Sequence, residues 1–191
     1  MAKAVESTPI KKKSRMRKKT KYVLGWVIQI ILVILLAALV AAGYFGTVVM
    51  QEGSMEPTIQ ANDHIRINRV AYILSEPKRE DVIAFYKSES KSGSVQIKRV
   101  IGLPGETIQI KDGLILINGE IYAESEEYTK INNAGLAADE ITLKKGEYFV
   151  LGDNRNNSED SRFIDMGNIK EENIIGKAWV ITSPWSRFGF L

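Results

Sequence analysis

The 191-residue sequence contains no cysteine. That excludes a thiol nucleophile, a thiolate metal site and a disulfide framework. A folded domain built from this chain must rely on its core, which about 140 residues can supply. Histidine is nearly as scarce, with His64 alone, so the commonest catalytic base is reduced to one candidate. No glycine-rich phosphate-binding loop occurs anywhere in the chain. The last absence is regional: from Tyr22 to Met50 there is no Asp, Glu, Lys, Arg or His, and Gln29 is the only strongly polar side chain.

Those 29 residues exceed the roughly 20 needed to cross the hydrocarbon core of a bilayer as a helix. The surplus is either tilt or the start of the next element. Residues 1–21 hold nine Lys/Arg against Glu6, whereas the other 170 residues carry 17 basic and 22 acidic groups. A basic flank before an apolar span predicts an N-terminus in the cytoplasm and residues 51–191 outside. Nucleic-acid binding by the tail is the competing reading; the tail lacks aromatics for stacking and runs straight into the apolar segment, so no nucleic-acid partner is expected. Val40-Ala41-Ala42 offers a small-residue cleavage site of the secretory type, but the apolar run is about twice the usual length and continues past it, which favours a permanent anchor. The expected organisation is a basic tail (1–21), an anchor (22–50) and an extracytoplasmic domain (51–191), with 106–147 as a variable hairpin or insert.

Beyond the span, short apolar runs alternate with turn residues, a pattern that predicts β structure. The expected strands are Ile65–Val70, Val82–Tyr86, Val95–Ile101, Thr107–Lys111, Leu114–Asn118, Tyr148–Leu151 and Lys177–Ile181. Asn118-Gly119 between Ile117 and Glu120 suits the positive φ angles of a type I′ hairpin turn. Lys87–Ser94 reads as a loop, and the acidic stretch Glu124–Glu140 as the most variable segment. No internal repeat is apparent.

Four residues after the uncharged run stands Ser54, in Gly53-Ser54-Met55-Glu56-Pro57-Thr58. A serine hydroxyl is a weak nucleophile until a base takes its proton. His64, in Asn62-Asp63-His64, reads as a surface residue at a loop-to-strand junction. Lys98 is the alternative, because Ser–Lys pairs are a known variant of the triad logic and Ile97, Val100 and Ile101 surround it with apolar bulk. A free lysine has a pKa of about 10.4, and desolvation lowers it by disfavouring the charged form. Arg99 cannot act as a base, since a guanidinium stays protonated in proteins. Taken alone, Lys98 also fits an ordinary strand-edge lysine. A third segment, Gly152–Arg162, is dense in Asp, Asn, Arg and Ser; read blandly it is a polar loop of Asx turns. A calcium loop fails there, with Arg155 and Ser158 where an oxygen ligand and a glycine are needed.

Set side by side, Gly53–Thr58, Asp81-Val82-Ile83-Ala84-Phe85, Lys98-Arg99-Val100-Ile101-Gly102-Leu103-Pro104-Gly105 and Gly152–Arg162 resemble, in order, the motifs of bacterial type I signal peptidases. These are membrane-anchored Ser–Lys endopeptidases that remove signal peptides from exported preproteins. The lysine matches the bacterial type; the endoplasmic-reticulum relatives carry histidine at that place. The resemblance implies a mainly β fold, an antiparallel-sheet catalytic domain of signal-peptidase type behind one N-terminal transmembrane helix. It makes Ser54 the nucleophile, Lys98 the general base and Ser158 the hydroxyl that orients the lysine. Asp160 and Arg162 match a supporting pair, with Asp153 and Arg155 as scaffolding. Met55, Ile59, Val48, Met50, Ala84 and Ile97 would form the substrate pockets, with Gln96 beside them. Val82, Ile83, Ala84 and Phe85, together with the strand before Lys98, would bind the extended substrate by strand addition. Shallow pockets favour alanine at −1 and −3. No metal or cofactor is implied; the partners are preprotein signal peptides, the lipid bilayer of the bacterial plasma membrane and the protein-export machinery.

The sequence departs from the family at several places. Glu52 stands two positions before Ser54, where a serine hydroxyl or a glycine is usual. A carboxylate aimed at a developing oxyanion would oppose catalysis, so Glu52 is expected to turn away, leaving the Ser54 N–H and another donor to form the hole. Glu80 and Gln96 replace a common glycine and tyrosine, and Glu106 replaces an aspartate. Trp185, Phe188 and Phe190 put three rings into the last eight residues, a composition suited to a membrane interface or to core packing. A catalytically idle tethered binding domain and a soluble self-cleaving Ser–Lys repressor are the rival readings.

Overall fold

The computed structural model describes the chain except residues 1–9, 74, 88–92 and 123–127. The centre of the Lys87–Ser94 loop and much of the 124–140 segment's first part thus lie outside the described residues. The chain divides into two compact units, Met1–Gly43 and Tyr44–Leu191.

In the first unit, α1 runs Ile10–Tyr44. Within it Thr20–Ala38 reaches a mean hydropathy of 2.2 with none of that stretch buried against protein. A helix satisfies its own backbone, so a one-sidedly undemanding apolar surface of this kind is compatible with lipid. The helix stops before the uncharged run does. Phe45–Val49 forms a strand, β1, so the surplus length beyond a bilayer span belongs to the second unit rather than to the anchor expected over 22–50.

The second unit is mainly antiparallel β. The remaining strands are β2 (His64–Asn68), β3 (Val82–Tyr86), β4 (Val95–Gly102), β5 (Thr107–Lys111), β6 (Leu114–Ile117), β7 (Glu120–Ile121), β8 (Ile141–Thr142), β9 (Glu147–Leu151), β10 (Ile169–Lys170), β11 (Ile174–Ser183) and β12 (Gly189–Phe190). Among the described residues they make two sheets. The larger has the order β1-β2-β11-β3-β4-β9-β10, with β12 also on β11; the smaller has the order β7-β6-β5-β8.

The Val-Ile-Ala-Phe run of β3 is apolar at every position because both of its faces are covered. Val82 and Ala84 join a core with Met50, Met55, Ile59, Ile65, Ile67 and Ile97. Ile83 and Phe85 join another with Val100, Tyr148 and Val150. The smaller sheet packs through Ile108, Ile110, Ile115 and Ile117 against Ile101, Phe149 and Leu151. Asn118 and Gly119 have φ of 54° and 82°, so the β6–β7 hairpin turns where Asn-Gly predicts it.

Two register details position the site. β4 pairs with β3 along Val95–Arg99, but with β9 only from Arg99 onward. Among the described residues, 95–98 therefore keep one ladder edge free. β1 pairs there with β2 alone, so its outer edge is free too.

Candidate active site

Ser54 sits in a tight turn where the Glu56 N–H donates to the Gly53 carbonyl (3.2 Å) and the Ile59 N–H to that of Met55 (2.9 Å). Met55 and Ile59 are fully buried, so the apolar positions flanking the turn press it onto the core. From the loop after β9, the Asn154 N–H donates to the Ser54 carbonyl (3.1 Å) and its Nδ2 to that of Gly53 (3.1 Å). The Ser54 N–H donates to no protein acceptor among the described residues.

Lys98 reaches this turn from β4. Its Nζ lies 2.7 Å from Ser54 Oγ, with Lys98 0% and Ser54 3% exposed. Among the described residues it makes no salt bridge. Burial pushes its pKa below the ordinary lysine value; Glu52, then Asp160, Glu159 and Asp153, partly oppose that from a distance. The amine is thus biased towards the neutral form, the only form that can accept a proton.

Arg99, its neighbour, goes to a different partner. Nε and Nη2 donate to the two oxygens of Asp153 at 2.8 and 2.6 Å, and Nη1 to the Glu80 carbonyl at 2.9 Å. Burial alone would lower the Arg99 pKa; the Asp153 carboxylate more than offsets it and holds it up. Glu80 itself has φ of 72°, a left-handed conformation that suits glycine best.

The loop after β9 supplies the floor. Asp160 accepts from Arg162 Nε (2.7 Å) and Nη2 (2.8 Å), and from the Gly152 N–H (3.1 Å). Arg162 Nη2 also donates to the Arg155 carbonyl (2.6 Å), and Arg155 Nε to that of Gly152 (3.1 Å). Gly152 must be glycine: a Cβ there would fall 2.2 Å from Ser158 Oγ and 2.4 Å from the Ser54 carbonyl oxygen. The Ser158 oxygen is buried and has no hydrogen-bond partner, so it makes no bond to Lys98 in this geometry.

Two cavities border the segment from Gln51 to Ser54. One, of about 290 Å³, is a groove between β1 and the first half of β4, lined by Val48, Met50, Gln96 and Ile97 among others. Ala84, Met55 and Ile59 lie in the core cluster beneath it. The other, of about 550 Å³, includes Ser54, Ser158, Asn156 and Glu159. Glu52 is exposed and lines both.

The expectation for Val82–Phe85 requires correction. Both ladder edges of β3 are occupied, by β4 and β11, so this strand has no backbone groups left for an added peptide. Ile83 and Phe85 belong to a cluster separate from the one under the groove. The open edges are those of β1 and of Val95–Lys98. The role of Asn154 and the close approach at Gly152 have no counterpart in the sequence reading, because Asn and Gly in a polar loop carry no signal for a particular tertiary partner. His64 is exposed at the start of β2, outside this arrangement.

The family description "Signal peptidase, peptidase S26" matches residues 23–183. "Signal peptidase I T" of Bacillus subtilis (strain 168) is 35% identical over 178 residues, covering 89% of this chain and 90% of that protein. "Signal peptidase I" of Leptolyngbya laminosa is 39% identical over 148 residues, covering 72% and 68%. "Signal peptidase I P" of Bacillus subtilis subsp. natto is 32% identical over 180 residues, covering 90% and 95%. A match this long, across helix and sheets alike, means that the chain belongs to the bacterial type I signal peptidases, family S26.

Proposed function

We propose that this signal peptidase cleaves preproteins by a Ser54–Lys98 dyad, after small residues at −3 and −1. The observation that carries the reading is the 2.7 Å contact between two buried side chains, one of them a lysine biased towards its neutral form. Neutral Lys98 Nζ accepts the Ser54 proton as Oγ attacks the scissile carbonyl carbon. The negative oxygen that develops is met by the uncommitted Ser54 N–H; preorganised donors of this kind are worth about 10²–10³ in rate. When the C–N bond breaks, the Lys98 ammonium returns a proton to the departing amine. A water, deprotonated in turn by Lys98, then hydrolyses the ester. Ser158, buried close to Ser54 and without a partner, is available to orient the lysine once substrate closes the site.

The segment before the cut binds extended in the groove between β1 and Val95–Lys98, using their free backbone groups. Val48, Met50 and Ile97 form its shallow apolar lining, which accommodates alanine better than bulky or charged side chains. Anchoring follows from α1, with the basic tail on the cytoplasmic side and the β unit outside. Around the junction with the helix, Phe45 stacks on Trp179 (5.4 Å between centroids), and Phe190 and Phe188 extend the row. Trp185 is 81% exposed. Such rings fit the headgroup region of a bilayer, and sharing that bilayer with the substrate raises effective concentration. Export machinery would deliver the preprotein.

The test is cleavage of an alanine-type preprotein by the full-length protein, Ser54→Ala and Lys98→Ala. Loss of about 10⁴-fold or more in each variant is expected. Turnover surviving in either overturns the dyad, and an inactive but peptide-binding wild type favours an idle binding domain instead.

A further inference from the structure

The groove between β1 and β4 adjoins, at Glu52, a second cavity that contains Ser54, and the two differ in charge. The second cavity carries Glu52, Glu159 and Asp165, with no Lys, Arg or His among the described residues of its lining. Glu159 also makes an exposed pair with Lys87 at 2.8 Å. The wall between the carboxylates is polar, with Asn156, Asn157 and the unpartnered Ser158 hydroxyl. The two cavities have one residue in common, Glu52.

Ser54 lines the second cavity and not the groove, so a substrate whose residues before the cut fill the groove would carry its first mature residues into this second cavity, past Glu52. Three carboxylates facing one short peptide segment make a negative potential that a cationic side chain lowers and an anionic one raises. The departing group is itself an amine that becomes cationic on release.

We propose that this cavity is the subsite for the first residues after the cut, with Glu52 as its specificity-determining residue, selecting basic over acidic side chains there. The inference rests on the dyad and groove reading above. It also gives Glu52 a role: at the junction of the two cavities, its carboxylate meets the substrate beside the scissile bond. Selection of this kind is differential. The same charges that welcome lysine or arginine penalise aspartate or glutamate, so the discrimination comes from both directions.

The experiment uses the full-length enzyme in detergent micelles and three peptides identical except for Lys, Ala or Glu at the first two mature positions. The wild type is expected to cleave the Lys peptide with kcat/KM about tenfold above the Glu peptide, the size of one weakly screened charge contact. Glu52→Gln should bring that ratio towards unity, and Glu52→Lys should invert it. Because the ratio compares two peptides on one enzyme at one pH, any effect of Glu52 on Lys98 cancels. Glu159→Gln and Asp165→Asn should each reduce the ratio by less. Equal cleavage of all three peptides by the wild type overturns the subsite while leaving the dyad intact. A preference that persists in Glu52→Gln and Glu52→Lys overturns the role of Glu52. If Ser54→Ala still cleaves, the dyad reading fails and this inference with it.

Discussion

Lys98 and Arg99 are neighbours on one strand, both largely withdrawn from water, and their surroundings treat them oppositely. Arg99 has a carboxylate set against it in bidentate geometry, so its charge is retained and serves as a brace between β4 and the loop after β9. Lys98 has a hydroxyl 2.7 Å away and carboxylates only at longer range. Buried without a counter-ion, an ammonium holds its proton less firmly; given a counter-ion, a guanidinium becomes structure. The same desolvation thus lowers the pKa at one position and leaves a fastener at the next.

Exchanging the two chemistries is the sharpest way to break this contrast. Lys98→Arg should abolish turnover, by about 10⁴-fold or more, because a guanidinium does not deprotonate; preprotein cleavage checks it, and residual activity would show that a neutral amine is dispensable. Arg99→Lys should leave cleavage chemistry in place but cost about 1–3 kcal/mol of stability, since an ammonium cannot make the paired bonds to Asp153; denaturant unfolding measures this. The smallest effect sharpens the comparison rather than breaking it. Under the proposed dyad, activity requires neutral Lys98, so it should rise with pH through a pKa below the ordinary lysine value. The Glu52 carboxylate stabilises the charged form and holds that pKa up, so Glu52→Gln should move the acid limb to lower pH. A limb that moves up, or stays where it is, would mean that Glu52 does not act on the base.

Much of this was readable in the sequence because it depends on local chemistry. The all-apolar Val82–Phe85 run, the Asn-Gly hairpin and the uncharged span each carry their reason within a few residues. Ser54 and Lys98, 44 residues apart, were paired by resemblance to a family rather than by anything in the spacing. What failed to show was everything decided by which strands become neighbours. β3 looked like a docking strand, but β11, almost 100 residues later, takes the edge that a peptide would need. β1 was hidden because a strand packed on apolar residues and a membrane helix draw on the same side chains until a partner, here β2, selects between them. Gly152 and Asn154 act through contacts with the Ser54 turn that only the folded chain creates.

One long-range contact bears on when the enzyme becomes an enzyme. Arg187 donates to both oxygens of buried Asp63 at 3.0 Å and to the Thr58 carbonyl at 3.1 Å, closing the segment that follows the nucleophile. Asp63 and Arg187 are separated by 124 residues, and contacts of such sequence separation form late. During synthesis Ser54 is made early but its supporting segment is fastened only when Arg187 arrives. The turn that carries the candidate nucleophile is therefore not fastened at its far end until Arg187 is in place.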